Sequence, residues 1–255
     1  LVLALIPAMS AVGAFGIVYN MVRAESARFR RAIGVGIVTA VLLTSIANLE
    51  GVLEFGRANG IGSSKFYEWV NIDGLEKPET EMTQSWKPDE FWWWWRASRV
   101  IRMTDDERTI DYTITEFPFF SFMLGDMHPH VMSIPFVLLF LTACYNYLRS
   151  SKRNWRSAKI RKVTTSIFLG LALGGLGFIN MWDFPVFAAV FIGVVTLKSY
   201  TENGLSLRVI GCEVLPIILL VFGVALLSIS PYLMSFTSQV SGLGPVISVS
   251  SRPLH

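Results

Sequence analysis

Within "MLGDMHPHVM" (123–132), Asp126, His128 and His130 alternate across a proline. Alternate residues of an extended segment project to the same side, so this spacing lets one carboxylate and two imidazoles converge. Such a trio can ligate a divalent metal, grip a phosphate, or act as base and acid. D-x-H-x-H alone is a weak metal signature, so a divalent ion is one candidate cofactor among these uses. The bland alternative is a hydrogen-bonded knot holding a helix break. The flanking strings "FPFFSF" and "SIPFVLLFLTAC" are strongly apolar, and ionisable groups at membrane depth are costly and usually functional.

Asp183, in "NMWDFP", is a second candidate. It either caps a helix before Pro185 or shares a site with Asp126. Glu50 and Glu116 are similar acids flanking apolar runs. Arg96, Arg99 and Arg102 recur at three-residue spacing beside four tryptophans ending at Trp95. On a helix they share one broad face. There they can hold the phosphate of a lipid head group or lipid carrier, or anchor the helix at the membrane interface as snorkelling cations in an aromatic belt.

The elements that position these residues are written in the composition. The 255 residues are 52% hydrophobic and 16% charged, with a mean hydropathy of +0.49. Soluble domains carry about 25% charged residues, so lipid is the solvent for most of this chain. Six spans are expected, at 1–22, 32–49, 129–148, 163–180, 184–199 and 209–230. The class is therefore all-α, a polytopic transmembrane helical bundle of the cell membrane. Membrane lipids are its immediate partners. The chain opens inside a hydrophobic run without a methionine or a basic leader, and reads as an internal piece of one larger membrane domain.

Basic loops set the orientation. Residues 23–31 carry Arg23, Arg28, Arg30 and Arg31 against one glutamate, and residues 149–162 carry seven basic residues and no acid. Both belong on the cytoplasmic side, which leaves 50–128, the turn 180–185 and the tail 231–255 outside. The segment from Glu50 to Glu116 holds 14 acids against 8 bases, as an external loop tolerates.

Inside that loop, "SWKPDEFWWWWRASRVIRM" (85–103) predicts an interfacial helix, with proline and acids at its start and arginines near its end. "RTIDYTITEF" (108–117) alternates like a short strand. Segment 116–148 predicts a short helix, a break near Pro129, then a span. Gly170, Gly174, Gly175 and Gly177 predict close helix packing. "SGLGP" (241–245) is a turn or an anion nest. Cys144 and Cys212 lie in apolar segments, which argues against a disulfide framework. The spans carry almost no charge, whereas a transporter concentrates ionisable groups near the midplane. The chemistry gathers at the outer rim, so an enzyme is favoured over a flippase, a transporter of a polar solute or a non-catalytic scaffold.

Five strings, "NLEG" (48–51), "FWWWWRASRVI" (91–101), "ITEFPFFSFMLGDMHPHVMSIPF" (114–136), "GLGFINMWDFP" (175–185) and "FTSQVSG" (236–242), resemble the Chlor_Arch_YYY membrane proteins. The resemblance runs in order along most of the chain. It implies a remote relation to C-type glycosyltransferases, which take sugar from a polyprenyl-phosphate carrier at the outer face using an acid in the first external loop. The tyrosine run of the family name is absent here, and is expected with that loop N-terminal to this chain. On this reading Asp126 with His128 or His130 binds the carrier phosphate or a metal. Arg96, Arg99, Trp95 and Glu116 contact the substrate, and Asp183 orients the acceptor or a metal.

Overall fold

The computed structural model describes residues 2–25, 28–45, 49–76, 86–88, 93–105, 108–150, 155–204 and 206–237. The chain divides into two compact units, one formed by Leu1–Val41 with Met127–Gln239, the other by Leu42–Asp126 with Val240–His255.

The first unit is a helical bundle. Its helices are α1 (Val2–Glu25), α2 (Phe29–Ser45, which runs on into the second unit), α7 (Pro129–Arg149), α8 (Trp155–Ile179), α9 (Asp183–Asn203), the short α10 (Leu207–Val209) and α11 (Leu215–Ser235). A π-helical turn, Ile210–Val214, joins α10 to α11. Five helical segments are long and apolar enough to cross a membrane. They are α1, α7, Ile160–Ile179 of α8, α9, and the continuous stretch Leu207–Ser235. The expected span at 32–49 corresponds to α2, and a sixth crossing is reached only if α2 and the helix that follows it are one bent span.

Helical spacing builds the core of this bundle. Leu169, Leu173 and Leu176 of α8 are buried, as are Ile217, Val221 and Ala225 of α11, and they pack with Phe140 and Cys144 of α7 and Phe191 and Val195 of α9. Lipid tails are as apolar as leucine, so tight backbone approach rather than water exclusion must hold such helices together. The α8–α11 contact meets that need with glycine. A Cβ on Gly170 would lie 2.8 Å from the carbonyl oxygen of Val221, and one on Gly174 would lie 2.7 Å from that of Ala225. Gly175 faces nothing within 4 Å, so the expected glycine seam runs through 170, 174 and 177 only.

The second unit folds the loop. It contains α3 (Glu50–Ala58), α4 (Ser64–Val70), the single turn α5 (Trp93–Arg96), strands β1 (Ile101–Asp105) and β2 (Arg108–Thr113), and α6 (Pro118–Leu124). Ser63 caps α4 by accepting from the Phe66 N–H at 3.2 Å, and Asn71 in the left-handed region ends it. Tyr67, Val70, Ile72, Leu75 and Val100 form one small core, and Ala97, Phe117 and Phe120 with Trp94 form another.

The strand predicted at 108–117 is present as β2. It pairs antiparallel with β1, Arg102 opposite Tyr112, with a register shift after Met103. The helix predicted over 85–103 is corrected. Its acids Asp89 and Glu90 lie outside the described residues; among those described, helix covers Trp93–Arg96 before the chain turns into β1. Val100, Ile101 and Thr104 are β-branched, and once β2 is alongside, the ladder outcompetes a weak helical preference. The break expected before the span is also present. Pro118 starts α6, Gly125 at φ 70° ends it, and Pro129 starts α7.

Candidate functional site

The site in the second unit begins with one face of α3. Glu50, Glu54 and Arg57 follow helical spacing and are all buried. Three charges in nine residues set α3 outside the apolar spans. Arg96 Nε donates to Glu54 Oε1 at 2.7 Å and Arg96 Nη2 to Oε2 at 2.9 Å, a two-pronged pair whose planar geometry lysine could not reproduce. Arg57 Nη1 donates to the Gly74 carbonyl at 3.0 Å, and its guanidinium lies 5.6 Å from the centre of the Tyr67 ring. Glu50 is only 2% exposed, and neither of its oxygens has a hydrogen-bond partner among the described residues. Burial first, and the neighbouring Glu54 carboxylate second, push its pKa up to about 9. Glu50 is therefore a neutral acid at physiological pH.

Beside this face Asp73, Gly74, Trp95, Arg96, Arg99 and Tyr112 line a cavity of about 410 Å³. The Arg99 guanidinium stacks 4.8 Å from the Trp95 ring centre. Its Nη2 reaches Glu116 Oε1 at 3.3 Å, and its Nη1 donates to the Ser98 carbonyl at 2.8 Å. The Tyr112 hydroxyl donates to Asp73 Oδ2 at 2.5 Å, which holds the phenol above its ordinary pKa. Arg102 bridges from β1 to Glu76 and, at 3.7 Å, to Asp73. Gly74 sits at φ 84°, where a Cβ would meet Arg96 Nη1 at 2.8 Å, so glycine is required for both conformation and space. The cavity thus offers an indole face, two guanidiniums and a phenol–carboxylate pair. These groups can stack on a sugar ring, hold phosphate oxygens and hydrogen-bond hydroxyls.

Residues 1–253 match the model of an uncharacterized membrane protein family, DUF2298. The chain belongs to that family. No curated protein and no solved structure matches it.

In this DUF2298 protein, three residues singled out by spacing, Trp95, Arg96 and Arg99, meet in one cavity, and Glu116 joins them through Arg99. They do so without the continuous helical face expected of Arg96, Arg99 and Arg102. Arg96 ends α5, Arg99 lies in the link that follows and Arg102 lies on β1. Asp126 belongs to the same unit, where the α6 terminus fixes it through a 2.9 Å bond from its N–H to the Ser121 carbonyl. It offers a carboxylate oxygen within 4.8 Å of one from Glu116, so these two acids are the hard-oxygen donors available to a cation here.

His128 and His130 open the first unit. His128 is the N-cap residue of α7, and the two rings lie 5.5 Å apart, inclined by 38°. Asp183, also in the first unit, is the first residue of α9 rather than its cap, which is Trp182. Asp183 Oδ2 is buried without a hydrogen-bond partner among the described residues. The stretch 241–245 lies outside the described residues. Sequence reasoning missed Asp73, Gly74, Tyr112 and Glu54. The Asp-Gly turn signal at 73–74 was available. The pairing of Tyr112 across from Arg102 depends on a register that only the fold supplies.

Proposed function

We propose that this protein is a glycosyltransferase-like membrane protein that acts at the outer membrane face on a polyprenyl-phosphate-linked sugar. The observation that carries this reading is the cavity where Trp95, Arg96, Arg99, Asp73 and Tyr112 meet. The resemblance of its longest strings to the Chlor_Arch_YYY proteins supports it. In the transfer, the bond between sugar C1 and the carrier phosphate oxygen breaks. C1 bonds to an acceptor oxygen, the acceptor proton passes to a base, and polyprenyl phosphate leaves.

Charge develops on the leaving phosphate, so the guanidiniums of Arg96 and Arg99 lower the barrier by holding it. Both are already oriented by carboxylates, which reduces the ordering cost when substrate arrives. Trp95 packs against the sugar, and the Asp73–Tyr112 pair fixes a hydroxyl. Asp126, with His128 or His130 beside it in the chain, supplies the base or the ligands of a divalent cation.

The experiment is sugar transfer by the full-length protein from a polyprenyl-phosphate-sugar. Arg99→Gln is expected to cost about 10- to 100-fold in kcat/KM, as loss of one charged transition-state contact does. Asp126→Asn and His128→Ala are expected to abolish transfer while leaving the protein folded. Transfer at the wild-type rate in both would remove the proposed base.

A further inference from the structure

At its other chemical extreme the first unit holds a second cavity, of about 270 Å³, where the end of α7, the start of α8, the end of α9 and the π-helical turn meet. Among its lining groups are Asn146, Arg161, Lys162, Thr165, Ser199 and Glu213. Lys198 is the built part of this wall. Its ammonium donates to the Ser150 carbonyl at 2.6 Å and the Leu148 carbonyl at 3.1 Å, and pairs with Glu202 at 3.0 Å. An ammonium has three protons, so Lys198 is spent on closing the end of α7. Glu213 accepts from Asn203 Nδ2 at 2.7 Å. Ser199 is 6% exposed, and its hydroxyl is buried without a hydrogen-bond partner among the described residues. A buried hydroxyl left unmatched is costly unless something polar meets it.

Asn146 and Thr165 also line a neighbouring groove of about 570 Å³ between α1, α7 and α8, so the two spaces adjoin. The groove is graded. Asn20, Arg149 and Thr164 stand at the end near the cavity, and Ile17, Leu139 and Phe168 stand deeper. From Leu139 to Arg149 the gradient runs about 15 Å along α7. A polar cavity holding Arg161 and Lys162, adjoining a groove that grades from polar to apolar, is complementary to an amphiphile with a phosphate head. Arg161 and Lys162 line the cavity and are exposed, so the head it favours is anionic.

We propose that this end of the bundle binds one anionic glycerophospholipid. Its phosphate lies between Arg161, Lys162 and the Ser199 hydroxyl, and one acyl chain lies in the α1–α7–α8 groove. The site is separate from the sugar-transfer reading and does not depend on it.

The test uses the purified, delipidated full-length protein in detergent, titrated with phosphatidylglycerol, phosphatidylcholine or inorganic phosphate, and read by native mass spectrometry and thermal unfolding. Phosphatidylglycerol is expected to be retained at one per chain and to raise Tm, while phosphatidylcholine and inorganic phosphate do neither. Replacing both exposed cations, R161Q/K162Q, should weaken phosphatidylglycerol by about 30-fold, roughly fivefold per charge. Leu139→Trp, at an exposed groove position, should weaken it about tenfold by displacing part of the chain. The lipid-free Tm of these variants reports whether they fold. Equal binding of phosphatidylcholine, equal protection by inorganic phosphate, or an R161Q/K162Q variant that binds like wild type would each overturn the proposal.

Discussion

Glu50 shows how much a single side chain can carry in the loop unit. It is buried beside Glu54, which Arg96 grips with two nitrogens, so a carboxyl held by a guanidinium and one without a partner among the described residues share the same helical face. The folded protein keeps a proton on Glu50 up to about pH 9, whereas an ordinary glutamate loses it at 4.5. Between these values the native state binds more protons than the unfolded chain, so stability falls as pH rises. The stabilising share of protonated Glu50 is complete below about 4.5 and gone once pH passes about 9. Glu50→Gln keeps the neutral shape and removes the titration. It is expected to raise stability at pH 8 by several kcal/mol, because folding of the wild type must take up a proton there at about 1.4 kcal/mol per pH unit above 4.5, with no gain at pH 4.5. Thermal unfolding in detergent across pH 4.5–9 decides it, and parallel pH profiles for the two proteins would refute the assignment. The sequence marks Glu50 as an acid flanking an apolar run, but not that it is buried without a partner among the described residues. Its burial follows from tertiary packing, not from composition.

At the scale of elements, the α8–α11 crossing brings two backbones so close that a single added methyl group would collide. Gly174→Ala places a carbon where the Ala225 carbonyl already stands. The helices must move apart, at about 1–3 kcal/mol. Gly175→Ala, one residue on and facing open space, should be neutral or slightly stabilising through helix propensity. Equal unfolding temperatures for the two variants would show that the seam does not hold the helices. The glycine spacing announced this contact, as the apolar runs announced the spans, because both express rules local to one helix. The 85–103 segment misled for the opposite reason. Its proline, acids and arginines satisfy helix rules one by one, but β1 is fixed by a partner strand, and Arg102 is placed by Tyr112 across the ladder. The cavity residues Asp73 and Tyr112 were hidden by the same non-local pairing.

For the whole molecule, the charge asymmetry of the loops predicts the sidedness. In cells carrying the full-length protein with Cys212→Ser, a membrane-impermeant thiol reagent should label Glu68→Cys from outside. It should label Arg30→Cys only after permeabilisation. Labelling of Arg30→Cys in intact cells would invert the proposed orientation, and with it the outer location of the sugar site. The π-helical turn at Ile210–Val214 has a consequence for how such a bundle tolerates change in length. An α-helix advances about 100° per residue, since 3.6 residues complete a turn, and a π turn accommodates one residue more than that winding allows. Glu213 can therefore face Asn203 at the end of the bundle while Val221 and Ala225, further along the same rod, face the glycines of α8. Removing one residue from 210–214 would let the turn relax to regular winding with these two faces still in phase, whereas adding one would turn them about 100° apart. The five-residue turn is angular slack between the polar end of the bundle and its packed middle, which can be shortened by one residue but not lengthened.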